Sequence, residues 1–323
     1  MRRRDSIIGS ALSLGLAGAH AQLSAAPRQL AWLMSSPPID PPLSLPFIQA
    51  LAALGWIEGK TIQVERRYVG DTADQVATPK GQRRLSSSGR TLSLRRPVRL
   101  LTQSAAKPGP FNNPLAADFV ASLAHPGGNI TGFANVEPTT IGKMIELLKA
   151  VAPRTRAIAL MYGNTYVNFK RDWIMSQETM DQAAKTYSVE LLGTPVASEA
   201  DIDRALAKFG ADQTTAVMIL ADVHLLDQRN LVVASAARFR VPTIFPVPVF
   251  PAVGGLMSYG GNFPDQFRQA AGYVDRILRG ENPGDLPVMM PTKYELVINM
   301  KAANVLAITV PPSLLSTSDK VIE

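Results

Sequence analysis

The sequence predicts an α/β protein of two lobes, each built on a mainly parallel sheet with helices on both faces. Three observations predict it. Apolar runs of strand length alternate with segments of helical periodicity almost from end to end. Such alternation gives parallel sheets, because parallel neighbours need a crossover and a helix supplies it. The chain has 323 residues, more than one core of about 250–300 residues holds. The alternation also fails once, from about Val76 to Phe111, so the first lobe is expected to be incomplete.

In order, Leu30 to Met34 reads as a buried strand. Phe47, Ile48, Leu51 and Leu54 recur at helical spacing, and Gly55 ends that helix. Ile62, Val64 and Tyr68 alternate with polar residues as a strand does. After the break, Phe119, Val120 and Leu123 lead into a turn at Pro126-Gly127-Gly128-Asn129. Ile141, Ile145 and Leu148 mark a helix, with Thr139 or Thr140 as its expected cap. Strands are expected at Ala157 to Tyr162, Val189 to Leu192, Ala216 to Leu220, Thr243 to Phe245, Gly255 to Tyr259 and Tyr294 to Asn299. Helices are expected at Asn168 to Tyr187, Glu199 to Phe209, Leu225 to Phe239 and Pro264 to Arg279, with a short one before Pro311-Pro312.

Residues 1–21 read as a cleavable export signal. Arg2, Arg3 and Arg4 precede an apolar run from Ile7 to Ala19, and Ala19-His20-Ala21 offers small residues at a cleavage site. A run of 13 residues is shorter than the roughly 20 a permanent span needs. The arginines admit the twin-arginine route, although Ser6 stands where that signal prefers a large apolar residue. The expected location is therefore the periplasm.

Composition narrows the chemistry. There is no cysteine, so disulfides and thiolate chemistry are excluded. Of the 3 histidines, His20 lies in the signal, leaving His125 and His224. That is too little for a histidine-rich metal site or a catalytic triad. No nucleophile elbow, phosphate-binding loop or dinucleotide fingerprint is present. No enzymatic activity, cofactor or metal is expected. The net charge of +7 does not argue for nucleic acid. Lys80, Arg83, Arg84, Arg90, Arg95, Arg96, Arg99 and Lys107 crowd into residues 75–117, which hold no acid. With that stretch and the signal set aside, the body is mildly acidic.

Ligands of open parallel sheets bind beyond the carboxyl ends of the strands. That rule selects Ser35 and Ser36 after the first strand, Gly163, Asn164 and Thr165 after the third, and Asp222 after the strand ending at Leu220. It also selects Pro246, Tyr259 and Gly260. Each has a plainer role. Ser35, Ser36 and Asn164 suit caps or turns, Asp222 suits a helix N-cap, and Tyr259 suits the core. His125 and His224 have no carboxylate partner readable from the sequence.

The chain resembles the solute-binding proteins of ABC transporters, in their tryptophan/aromatic-type group. The resemblance is carried by Arg2-Arg3-Arg4-Asp5, by Ala53-Leu54-Gly55-Trp56-Ile57-Glu58-Gly59-Lys60, and by the run from Phe119 to Gly132. It continues through Gly254 to Gly260, Pro291 to Asn299 and Pro311 to Leu315. It implies a type I periplasmic binding protein, with two Rossmann-like lobes that close on a solute about three crossovers. Lobe one would hold residues 28–134 and 254–285, and lobe two residues 135–253 and 286–323. The partners implied are a small solute and the permease subunits of an importer, with the protein a monomer. If the solute is an amino acid, Ser35, Ser36, Asn164 and Thr165 would hold its carboxylate and Asp222 its ammonium, with Tyr259 a further ligand candidate.

Residues 76–111 depart from the family. They are rich in Arg and Ser and have no usable periodicity, and the resemblance resumes near Asn113-Pro114. A pair of compensating frameshifts explains such a stretch, as does a basic insertion. In the first case this copy is expected to lack order there and to bind solute weakly or not at all. A ligand-sensing domain of the same fold is the other alternative.

Overall fold

A computed structural model describes residues 27–34, 41–68, 99–101, 120–133, 138–163 and 177–323. The export signal, Ser35, Ser36, Asn164, Thr165 and all of 76–111 except 99–101 lie outside the described residues.

The chain begins with β1 (Arg28–Met34), α1 (Pro41–Ala53) and β2 (Ile62–Tyr68). Next come β3 (Arg99–Leu101), β4 (Ile130–Gly132), α2 (Pro138–Val151) and β5 (Ala157–Gly163). Then follow α3 (Gln177–Tyr187), β6 (Glu190–Val196), α4 (Glu199–Asp212) and β7 (Thr215–Ile219). Two short helices, α5 (Val223–Asp227) and α6 (Arg229–Arg238), lead to β8 (Thr243–Phe245) and α7 (Val249–Ala252). β9 (Met257–Gly261) enters α8 (Phe263–Leu278). The chain ends with β10 (Tyr294–Asn299), α9 (Met300–Val305), α10 (Pro312–Thr317) and β11 (Lys320–Ile322).

One large sheet carries seven strands in the order β6-β5-β7-β8-β9-β10-β11. β6 through β9 run parallel, β10 is antiparallel to β9, and β11 is parallel to β10. The strands alternate between two buried faces. Ile158, Leu160, Ala216, Met218, Ile244 and Met257 point to a core completed by α2 and the C-terminal helices. Ala159, Met161, Val217, Ile219 and Phe245 point to a second core completed by α4 and α6. A strand buried on both faces needs an unbroken apolar run, and all seven residues of β5 are buried. Each fully buried Leu or Ile contributes roughly 1.5–3 kcal/mol.

Local chemistry sets the helix starts. Ser198 caps α4 by accepting from Asp201 N–H at 3.2 Å, and the Asp201 carboxylate reaches back to Ala197 N–H at 3.1 Å. That reciprocal arrangement satisfies one free donor of the first turn and ties down the residue that precedes the cap. The expected Thr139 or Thr140 cap is not found, because α2 already begins at Pro138. Proline is tolerated there because that first N–H has no helical partner. The single helix expected from Leu225 to Phe239 is two, divided at Gln228, whose φ of −87° and ψ of 16° leave the helical region.

The first part of the chain is organised differently. β1 and β2 form one parallel pair, in register from Arg28↔Ile62 to Met34↔Tyr68. β3 and β4 form another, from Arg99↔Ile130 to Leu101↔Gly132. Among the described residues there are thus three sheets, where one per lobe was expected. β3 is the described part of residues 76–111, a stretch in which the sequence shows no usable periodicity. Its three residues are too few to show alternation, and the backbone bonds to β4 define it instead. α1 packs on α8 through Phe47 and Phe267, whose rings meet edge-on at 6.5 Å, with Leu51, Ala270 and Val274 around them.

The boundary implied at Gly254 falls differently from the strand pairing. β9 bonds to β8 and β10, so the chain leaves the large sheet after Gly261. It then enters α8, which packs on α1.

Candidate functional site

The parallel part of the large sheet has the order 2-1-3-4-5, with β5 first and β7 third. Its switch point therefore lies between the carboxyl ends of β5 and β7, where the crossovers depart to opposite sides and leave a crevice. Gly163 closes β5 and Asp222 follows β7. The structure brings them into contact. A Cβ placed on Gly163 would lie 2.7 Å from Asp222 Oδ1 and 2.8 Å from Oδ2. Only glycine admits the carboxyl so close to the β5 backbone.

Asp222 is 9% exposed. Its Oδ1 accepts Leu225 N–H at 3.0 Å, which caps α5. The N-cap reading is thus correct as far as it goes. Burial pushes the Asp222 carboxyl above the usual carboxylate range. The backbone N–H groups of Leu225, Gly163 and His224 and the charge of His224 pull the other way without cancelling it. A buried carboxylate held by backbone donors is fixed in place and is costly to leave without a cation. It is therefore suited to receive one.

His224 stands beside this carboxyl, a neighbour that the sequence reading did not find. Its Nε2 is buried and accepts or donates no hydrogen bond among the described residues. The spacing Asp-x-His directly after a buried strand was the available signal. Sequence reasoning named Gly163 only as a strand-end residue; its role as the seat of Asp222 is a contact between β5 and β7, which periodicity does not reveal.

Tyr259 lies in β9 near the same edge of the sheet, two strands from Asp222, or about 10 Å of sheet. Its ring stacks on Tyr294 at 5.7 Å and 14° and packs against the first core. The position shares the carboxyl-end edge of the sheet with Asp222. Next to it, a Cβ on Gly260 would fall 2.1 Å from Pro246 O, so the turn after β8 is pressed against the end of β9. Ser35, Ser36, Asn164 and Thr165 lie outside the described residues. Among the described residues no group of three His, Cys, Asp or Glu could hold a metal ion. No helix among them is long and apolar enough to cross a membrane.

Solved structures define the class. A conserved domain protein from Vibrio cholerae superposes with a TM-score of 0.71 at 21% identity, covering 91% of this chain and 99% of the other. An ABC domain in complex with L-Trp from Streptococcus pneumonia gives 0.69 at 22% identity, covering 92% and 100%. A ligand-free, open substrate binding protein with adhesive properties from Clostridium difficile gives 0.61 at 16%, covering 92% and 99%. The fold is that of a type I periplasmic binding protein. Residues 109–322 match the ABC transporter substrate binding protein family, and the chain belongs to that family. A curated relative, the tyrosine-binding protein of Clostridioides difficile strain R20291, is 22% identical over 260 residues, 78% of this chain and 73% of that one.

Proposed function

We propose that this protein is the exported, non-enzymatic solute-binding component of an ABC importer, and that its solute is an amino acid held between two lobes. The observation that carries the reading is the buried Asp222 carboxyl, seated on Gly163 at the switch point. It would pair the ligand ammonium. The names of the relatives support the ligand class, since one is called tyrosine-binding and another was solved with L-Trp. Asn164 and Thr165, next in the chain after Gly163, would take the carboxylate with Ser35 and Ser36 of the first lobe, and Tyr259 would border the site. We place 254–261 with lobe two and keep the other expected boundaries. The closed protein would act as a monomer in the periplasm and deliver its solute to permease subunits, without nucleic acid or cofactor.

Thermal shift with L-tyrosine, L-tryptophan and the other amino acids tests the reading. One or more should raise the midpoint. N-acetyl derivatives, which lack the ammonium, should not. Equal stabilisation by an N-acetyl amino acid would remove Asp222 from the proposed role.

A further inference from the structure

The chain passes between its two packed bodies next to Asn262. Up to Gly261 it belongs to the large sheet, and from Phe263 it belongs to α8, whose partners are α1, Phe133 and other residues outside the large sheet's strands. It returns beside the same point, because Lys293 and Tyr294 lead into β10. Asn262 joins the two passages. Its backbone N–H donates to Lys293 O at 2.8 Å. Its side-chain Oδ1 accepts Asp265 N–H at 2.9 Å, capping α8. That bond fixes the amide orientation, so Nδ2 is the atom that donates to Glu295 Oε2 at 3.3 Å. A second strut lies alongside, where Lys293 Nζ meets Asp265 Oδ1 at 3.1 Å. A Cβ on Gly261 would stand 3.0 Å from Pro291, so the passages also touch by packing.

We propose that Asn262 and Glu295 form a clasp that locks these two passages together and sets the resting angle between α8 with its partners and the large sheet. Hinges are a few residues at element ends that absorb a change of φ and ψ. Tying two such ends together restricts how far either can turn alone. The clasp involves no solute, so it stands or falls apart from the ligand reading.

The groups facing Glu295 define how the clasp titrates. Burial holds its carboxyl above the usual range, Asp319 pushes it the same way, and Lys320 opposes both. On the far side, burial also works to raise Asp265, but the bonds from Lys293 and Gln269 outweigh it and hold that carboxyl below the usual range. A neutral Asn262 accommodates Glu295 in either protonation state. An acidic residue at 262 would still cap α8 and would repel Glu295 once both are ionised.

The experiment uses the full chain, which has no native cysteine. Spin labels go on Lys60→Cys and Lys208→Cys, both exposed, one on each body. Distances are measured without solute. Asn262→Asp should broaden the distance distribution at pH 7.5 and return towards wild type on acidification. Glu295→Gln should leave the distribution unchanged, and in combination with Asn262→Asp should suppress the broadening. Asn262→Ser keeps the cap but loses the donor, so it should broaden the distribution at every pH and covers the case in which the Asp variant misfolds. Distributions for Asn262→Asp and Asn262→Ser that match wild type, or a double variant as broad as Asn262→Asp, would overturn the clasp.

Discussion

The large sheet and the α1–α8 body are held together by different physics. In the large sheet the inner parallel strands β5, β7 and β8 are roofed on both faces. Ile158, Leu160, Met161, Met218 and Ile244 are all 0% exposed, and helices flank them on each side. In the α1–α8 body the core is a single layer of Phe47, Leu51, Phe133, Phe263, Phe267 and Val274. Beside it, α1 and β2 border an apolar cavity of about 230 Å³ lined by Ile48, Trp56, Ile62 and Val64. Leu45 of α1 and Ile57, which lines the cavity, are 51% and 44% exposed. Part of the tie between α1 and α8 is polar. Trp56 Nε1 donates to Asp275 Oδ1 at 2.8 Å, and Arg279 Nε donates to the same oxygen at 2.7 Å. The comparison teaches that the large sheet is enclosed on both faces at its centre, whereas the described part of the α1–α8 body relies on one apolar cluster and a polar tie.

The sharpest way to break that comparison is Leu160→Ala. It should cost the whole protein about 3–4 kcal/mol, because a fully enclosed side chain leaves a cavity that cannot collapse. A loss under about 1 kcal/mol in chemical denaturation would mean the large sheet is loosely packed. Phe47→Ala should cost about 3 kcal/mol but act locally. Hydrogen exchange should speed up across α1 and α8 while β5 keeps its protection. Equal acceleration in both regions would merge them into one cooperative unit.

Gly163→Ala probes the seam between fold and site. The added methyl meets the Asp222 carboxyl at 2.7 Å, so a cost of about 1–3 kcal/mol is expected, together with loss of solute stabilisation. The smallest effect on stability belongs to Asp222→Asn. Asparagine still caps α5, and the buried charge disappears. Because the folded pKa of Asp222 lies above its unfolded value, the wild-type protein loses stability as pH rises from the ordinary carboxylate value through the folded one. The variant should lack that loss and be no less stable than wild type at pH 7. A large destabilisation there would show that the carboxylate is purely structural.

Much of this was legible beforehand. The unbroken apolar run at Ala157–Tyr162 and the helix expected from Pro264 to Arg279 reflect patterns that local sequence must obey. The sheet to which β9 belongs was not legible, because Gly255 to Tyr259 reads as a strand without naming its neighbours. β3 was hidden by its length and flanking arginines. The strand-end rule found Asp222 and Gly163 separately. Their contact, and the place of His224 beside them, arise only when β5 and β7 become neighbours. The family match begins at residue 109, close to where the resemblance resumes after the aberrant stretch.

The central claim is that Asp222 receives the ammonium of an amino-acid solute. Isothermal titration calorimetry of L-tyrosine and L-tryptophan, against wild type and Asp222→Asn at pH 7.5 and pH 5, tests it most directly. The account predicts one-to-one binding to wild type, weakening in the direction of lower pH because the carboxyl must be ionised to pair the ammonium, and roughly 10–100-fold weaker in the variant, from the loss of a charged hydrogen bond of about 1.5–3 kcal/mol. Binding of equal strength in wild type and variant, or no heat with either amino acid under conditions where both proteins are folded, would contradict it.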